Sequence, residues 1–181
     1  EAYFSFSFVD TIWNTLPMLD EGQFGIDVRA AAILTPGLSW HFGYAFEKVD
    51  EPGPILKLLS PDADKNIHQF NTHLVWEKGG LLTVLEHDQY FINPLDTDIW
   101  DIMVMLSYRF KNGFGLAFRY SHEDIDTPFG DGKSNSFTLS PTYRINDKLL
   151  IRLECGLADG HIANLTNDVN HQVRLETLYD F

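Results

Sequence analysis

The 181 residues of this acidic chain suffice for one domain with a sizeable core, and its formal charge of -13 argues against a nucleic-acid partner. The single cysteine, Cys155, excludes an internal disulfide and any cysteine-based metal cluster. No run approaches the roughly 18 consecutive apolar residues of a transmembrane helix, and no signal peptide stands at the start. We therefore expect a single domain over residues 1–181, from which a signal peptide was removed or which was cut from a longer chain.

Large apolar residues recur at every second position, the period of an extended strand with two unlike faces. In chain order this pattern predicts strands over 2–9, 23–34, 38–47, 67–77, 81–90, 99–110, 113–121, 137–145, 149–157 and 172–181. In the strand 113–121, Phe114, Leu116 and Phe118 alternate with small or charged residues. The strand 81–90 is the exception, because neither parity separates its leucines and valine from Glu86 and Asp88. The sequence thus predicts ten strands without a helix.

Short and long links between these strands alternate. Tight-turn signals, with residues that accept a positive φ, stand at 35–37, 78–80, 111–113 and 145–147. Longer links fall at 10–22, 48–66, 91–98, 122–135 and 158–170. In an antiparallel up-and-down β-barrel, this order places every short turn and both chain ends on one rim and the long loops on the other. That is the layout of bacterial outer-membrane barrels.

Arginine and lysine are distributed differently along the chain. Six of the seven lysines fall in loops and turns, whereas every arginine occupies the polar parity of a strand. An arginine that faces lipid at mid-membrane costs about 2–4 kcal/mol, so this segregation is expected of a membrane barrel. The alternative is a soluble ligand-binding barrel, whose strands also alternate but whose solvated face usually carries Lys and Glu.

Aromatic residues make up 14% of the chain, and many lie close to the predicted short-turn rim. Tyr and Trp at a membrane interface place their rings at headgroup level and form a girdle. The predicted girdle comprises Trp40, Trp76, Tyr108, Tyr143, Tyr179 and Phe181. Strand lengths of about 9–12 residues also match the roughly 9–11 residues that a tilted strand needs to cross a bilayer.

Two stretches resemble known membrane proteins. The final residues, HQVRLETLYDF, are similar to the C-terminal strand of Gram-negative outer-membrane proteins, with alternating apolar residues and a terminal Phe181. The run LSYRFKNGFGLAFRYSHED, followed by SFTLSPTYRINDKLLIRLE, resembles the closing strands of β-barrel porins. The resemblance covers 99–181 clearly and 23–98 in style. It implies the outer membrane of a Gram-negative bacterium, contact with lipid and lipopolysaccharide, and a last strand read by the barrel assembly machinery.

Charged residues on the polar parity are the main functional signal. Oppositely charged residues follow one another along single strands, and Arg119, Arg144 and Arg152 on three consecutive strands could form a basic ladder. The predicted pore-lining residues are Arg29, Arg109, Arg119, Arg144, Arg152, Arg174, Asp27, Asp101, Glu154 and Glu176. Such a lumen would pass small polar or anionic solutes by passive diffusion. The alternative is a salt-bridge network that plugs a narrow structural or adhesion barrel.

An enzyme is a further alternative. Asp159 and His161 fall in the predicted external link 158–170, as the Asp–His pair does at the rim of omptin proteases, which are also ten-stranded barrels. Ser121 and His122 resemble the Ser–His pair of lipid-modifying barrel enzymes, but as sequence neighbours they should lie on opposite faces. We expect a channel rather than an enzyme, with neither cofactor nor metal.

Two architectures stay open for the ends of the chain. The strands 2–9 and 172–181 can pair and close a ten-stranded barrel, which the even strand count allows. Alternatively, the chain is the C-terminal part of a larger barrel, since porins have about 16 or more strands. We favour closure, which a hydrogen-bonded ladder between these two strands would establish.

Overall fold

A computed structural model describes residues 2–9, 24–48, 66–128, 130–162 and 168–179. They form ten strands in one antiparallel sheet, in which each strand pairs with its neighbours in sequence. The strands are β1 (Ala2–Val9), β2 (Phe24–Thr35), β3 (Leu38–Lys48), β4 (Asn66–Lys78), β5 (Leu81–Ile92), β6 (Thr97–Arg109), β7 (Phe114–Asp126), β8 (Gly132–Arg144), β9 (Leu149–Ile162) and β10 (Asp168–Tyr179). The predicted all-β, up-and-down barrel fold of about ten strands is confirmed.

The short turns lie where the sequence predicts them, between β2 and β3, β4 and β5, β6 and β7, and β8 and β9. Gly113 illustrates why the first three of these turns contain glycine. Its φ is +85°, and a Cβ atom there would lie 2.8 Å from the carbonyl oxygen of Arg144 on the next hairpin. The Gly113 carbonyl also accepts a hydrogen bond of 2.8 Å from the amide of Arg144, so the turn is joined to its neighbour.

The links on the opposite rim are shorter than predicted. β7 continues to Asp126 and β8 begins at Gly132, while β9 continues to Ile162 and β10 begins at Asp168. The backbone ladder continues after the apolar alternation stops, as in the pair Asp124 and Lys133. A 3-10 helix, Asn93–Leu95, occupies the link between β5 and β6, where no helix was predicted. The predicted links 10–22 and 48–66 lie mostly outside the described residues.

In the described part of the chain, no helix is both long and apolar enough to cross a bilayer. The sheet has two unlike faces. We call them the polar face, which carries the arginines, and the apolar face. The hollows of the sheet are lined mainly by residues of the polar face, which makes that face the concave one.

The register assigns the faces of β5, which the sequence left open. Val84 pairs with Met105, which in turn pairs with Arg119, so Val84 belongs to the polar face. Leu85 pairs with Val104 and is exposed on the apolar face. Because the period is two, Leu82, Glu86 and Asp88 share the polar face with Val84.

Two aromatic bands border the apolar face. The band at the short-turn rim contains Trp40, Trp76, Tyr108 and Tyr143, all of which are exposed. The remaining predicted girdle members, the side chain of Tyr179 and the whole of Phe181, lie outside the described residues. A second band, which was not predicted, lies nearer the long links and contains Tyr44, His68, Trp100 and Tyr120.

On β6, the separation of the two bands approaches the apolar thickness of a bilayer. Trp100 and Tyr108 lie eight positions apart on this strand, which corresponds to about 26 Å along it. A strand tilt of about 40° reduces this to about 20 Å across the membrane, close to the roughly 25 Å apolar band of outer-membrane barrels. On β3 the bands come closer together, since Trp40 and Tyr44 are four positions apart. The two bands therefore border a hydrocarbon-facing belt that is widest near β6.

The two end strands are open edges, so the expected closure between β1 and β10 is wrong. Among the described residues, β1 pairs only with β2, and β10 pairs only with β9. Apolar residues on these two strands are more exposed than those inside the sheet. Phe4 is 69% and Val173 is 74% exposed, whereas Leu116 is 39% and Leu139 is 45% exposed. Each edge presents unpaired backbone groups along one side.

The open edges predict an alternating pattern of amide exchange. In the 181-residue chain in detergent micelles, where water can reach the open edge, every second amide of β10 bonds to β9 and should be protected, while the amides between them exchange quickly. Amides of β6 should all be protected, because β6 is paired on both sides. Hydrogen–deuterium exchange read by NMR measures both strands, and uniform protection along β10 would indicate a closed ring instead.

The two faces predict opposite tolerance of charge on β6. Val104→Arg introduces a cation at the middle of the apolar belt and should lower the free energy of unfolding in lipid by about 2–4 kcal/mol. The matched change Ser107→Arg, on the polar face, should change it by less than about 1 kcal/mol. Urea unfolding in liposomes compares the two variants, and an equal loss would contradict the assigned faces.

Candidate functional site

All six arginines lie on the polar face, on six different strands. Gly115 and Ala117 stand directly opposite Arg109 and Ser107, and the small side chains of Ser140 and Thr142 lie beside them on β8. These small residues leave room for long side chains to extend over the sheet. The site is therefore built from guanidinium groups above a floor of small residues.

Three of the arginines are held by carboxylates. On β2, Arg29 Nη2 lies 2.8 Å from Asp27 Oδ2. On β10, Arg174 Nε lies 2.7 Å from Glu176 Oε1, and Arg152 on β9 reaches across to the same carboxylate. The structure thus brings together two of the predicted same-strand pairs, Asp27 with Arg29 and Arg174 with Glu176.

The other two predicted same-strand pairs do not form. Arg152 pairs with Glu176 rather than with Glu154, whose Oε2 instead accepts a hydrogen bond of 3.4 Å from Ser140. Asp101 and Arg109 lie eight positions apart on β6, and Asp101 is paired in register with Asp88. Cross-strand neighbours lie as close as residues two apart on one strand, so sequence spacing alone does not select the partner.

Arg109, Arg119 and Arg144 have no carboxylate partner within the described residues. Arg119 Nη2 lies 3.5 Å from the Thr138 hydroxyl, and Arg144 Nη1 lies 3.3 Å from the carbonyl oxygen of Asp147. All three side chains are exposed, and together with Arg152 they line one hollow over β6–β9. The predicted ladder of Arg119, Arg144 and Arg152 thus faces one space, which Arg109 also borders.

An acidic cluster lies on the polar face of β5–β7, nearer the long links. It consists of Glu86, Asp88, Asp101 and Glu123. The amide of Asn71 on β4 joins two of these residues, donating to Glu86 Oε1 at 2.8 Å and to Asp88 Oδ1 at 2.5 Å. The cluster was not predicted as a group, because the facing of β5 was unresolved in the sequence. Over β5–β9 the polar face therefore carries negative charge nearer the long links and positive charge nearer the short-turn rim.

Two histidines adjoin the acidic cluster on the polar face. The rings of His41 and His73 stack with centroids 4.4 Å apart, and His41 Nε2 and His73 Nδ1 are hydrogen-bonded to Ser39 and Asn71. In the part of the chain that the structure describes, no group of three or more His, Cys, Asp or Glu residues could hold a metal ion. Both histidines are thus hydrogen-bonded to neighbours on their own strands.

The candidate catalytic residues are placed differently from the prediction. Asp159 and His161 lie on β9 rather than in a loop, and their ladder partners on β8 are Asn135 and Lys133. Both side chains are exposed on the same side of the sheet as the apolar face, beyond its belt. Within the described residues, neither forms a hydrogen bond or ion pair with the other.

The two residues of the predicted Ser–His pair, Ser121 and His122, lie on opposite sides of the sheet. Ser121 lies on the polar face and its hydroxyl is 2.8 Å from that of Ser136. His122 lies on the opposite side, with Nδ1 2.9 Å from Asn135 Oδ1. The predicted opposite facing of Ser121 and His122 is confirmed, and their side chains do not meet.

The sheet is acidic at the long-link ends of β7 and β8, beyond the apolar belt. Beyond Tyr120, the outward residues of β7 become polar, and Asp124 pairs with Lys133 Nζ at 2.9 Å. This hydrogen-bonded ion pair raises the pKa of Lys133. Repulsion by the charge of Asp131 raises the pKa of the fully exposed Asp126. Asp126 and Asp131 therefore form a local patch of negative charge at this end of β7.

Comparisons with known proteins identify the architecture. No protein-family model and no curated protein matches the chain. Among solved structures it is similar to OmpTΔL8, a loop L8 deletion mutant of OmpT, an outer membrane protein of Vibrio cholerae. The match has a TM-score of 0.68 at 16% sequence identity and covers 98% of this chain. The fold is that of an outer-membrane β-barrel. The match covers 60% of the Vibrio protein, so this chain spans less than two thirds of that length.

The acidic rim predicts a coupled titration. Asp131→Asn removes the repulsion that raises the pKa of Asp126 and should lower that pKa towards its ordinary value. The matched change Asp159→Asn removes the same charge from β9 and should leave the pKa of Asp126 unchanged. Carboxyl-carbon NMR titration measures the pKa in each variant. Equal effects of the two substitutions would refute a local repulsion between Asp126 and Asp131.

Proposed function

We propose that the chain forms part of the wall of a channel in the outer membrane of a Gram-negative bacterium, through which small polar or anionic solutes diffuse passively. The observation that carries this proposal is the trio Arg109, Arg119 and Arg144. These guanidinium groups are exposed on three adjacent strands and have no carboxylate partner among the described residues. They are free to attract anions that enter the concave side of the wall.

The same observation argues against a plugged barrel. In a lumen filled by side chains, each guanidinium would be buried, and a buried charge without a partner is strongly destabilising. Paired arginines, as found for Arg29 with Asp27, would then be expected at every position. The acidic cluster on β5–β7 and the arginines nearer the short turns instead leave charged groups facing the concave side, and charged groups that line a pore sort solutes by charge.

The open edges support a wall larger than ten strands. Unpaired backbone groups are not tolerated in hydrocarbon, so β1 and β10 need partners within the membrane. We assign these partners to further strands of a longer form of the same polypeptide, because bacterial barrels of this type are closed by a single chain. A ring of about 16 strands encloses an aqueous channel, whereas eight to ten strands leave room for little beyond side chains.

The surroundings of the wall follow from its two faces. Lipid and lipopolysaccharide contact the apolar belt between the aromatic bands, and small solutes contact the polar face. The barrel assembly machinery reads the last strand. An omptin-like protease or a lipid-modifying enzyme is the alternative function, but Asp159 and His161 face outward and Ser121 and His122 lie on opposite faces. No observed contact between these residues favours catalysis.

Conductance tests the channel directly. Planar-bilayer recordings should show stable current steps with a preference for anions, and Arg119→Ala should reduce that preference in the reversal potential across a salt gradient. Lys133→Ala, which removes the same charge from the outer side of the sheet, is the matched control and should have a much smaller effect. A lack of current steps, together with hydrolysis that His161→Ala abolishes, would favour the enzyme.

A further inference from the structure

An apolar strip interrupts the polar face over β4–β6. Val75, Val84 and Met105 are direct neighbours in register on these three strands, and the next residue in the same row is Arg119 on β7. Leu82 extends the strip towards the short-turn rim. With neighbouring strands about 4.8 Å apart, the row of three side chains is about 10 Å long and ends directly beside a guanidinium.

This strip is unusual for its surroundings. Around this hollow, the polar face of β7–β9 carries Gly, Ala, Ser, Thr and charged residues, with Leu150 as the apolar exception. Leu82 and Met105 nevertheless line the same hollow as Arg109 and Arg119. Contiguous apolar side chains that face water are uncommon outside binding sites, because their exposure to water is unfavourable.

We propose that the strip binds the apolar body of an amphipathic anion whose carboxylate, sulfonate or phosphate pairs with Arg119. The proposal rests on the channel proposed above and names the class of solute that this wall selects. Charge complementarity sets the orientation: Arg119 can pair with an acidic head through two parallel N–H···O bonds, while the body lies along Met105 and Val84.

A segment of the chain itself is the competing occupant. A segment folded over the strip would cover Met105 whether or not a solute is present. Such a segment would pair with Arg119 only if it carried a carboxylate. An amphipathic anion would cover Met105 only when it is bound. Accessibility of Met105 to water with and without solute therefore separates the two.

Protection from a water-soluble methanethiosulfonate tests the proposal. In a Cys155→Ser background, Met105→Cys should react readily in the free protein, and hexanoate should slow the reaction. Because the four additional methylenes of hexanoate bury apolar area, half-protection should need at least about tenfold less hexanoate than acetate. Val84→Cys should behave in the same way, and Ser136→Cys, on the polar face away from the strip, should react without protection.

Two further results bear on the same experiment. Arg119→Ala should abolish protection of Met105→Cys by hexanoate, since the head group loses its partner. Equal protection by acetate and hexanoate, or no reaction of Met105→Cys in the free protein, would overturn the proposal. Either result leaves the channel itself to be judged by bilayer conductance, so the two proposals can fail separately.

Discussion

Backbone hydrogen bonding is the constraint on which this structure depends. In hydrocarbon a strand must bond its N–H and C=O groups to a neighbour on each side, and β2–β9 do so in sequence order. Since these bonds use the strand edges, side chains are left to point alternately to two faces. One face becomes a belt between the bands of Trp100 and Tyr108, and the other collects every arginine. The same constraint implies that the unpaired edges of β1 and β10 need further strands beside them in a bilayer.

The polar face combines three features that together define its chemistry. Unpaired guanidinium groups lie over a floor of small residues, an acidic cluster lies nearer the long links, and an apolar strip runs between them to Arg119. Pairing divides the arginines into two groups. Arg29 pairs with Asp27, and Arg152 and Arg174 share Glu176, whereas Arg109, Arg119 and Arg144 have no carboxylate partner among the described residues.

Alternation in the sequence was enough to predict ten strands, their short turns and the face of each arginine, because period-two patterning is a local property. β5 could not be assigned in this way, since Leu81 and Leu85 on one face and Leu82 and Val84 on the other are equally apolar; only pairing with Met105 decides. The partner of Arg152 and the open edges depend on contacts between distant strands, which spacing along one strand does not encode. The long links were overestimated because polar residues continue the ladder.

We infer that the concave, arginine-bearing face of the sheet contacts water and that the opposite face contacts lipid. Single cysteines at Ala117, Phe118 and Arg119 on β7, in a Cys155→Ser background, test it most directly through their reaction with a charged, membrane-impermeant thiol reagent in intact bilayers. Because positions 117 and 119 face water and position 118 faces lipid, the cysteines at 117 and 119 should react quickly and the cysteine at 118 should not. Fast reaction at 118 with protection at 117 and 119, or equal reaction at all three, would contradict it.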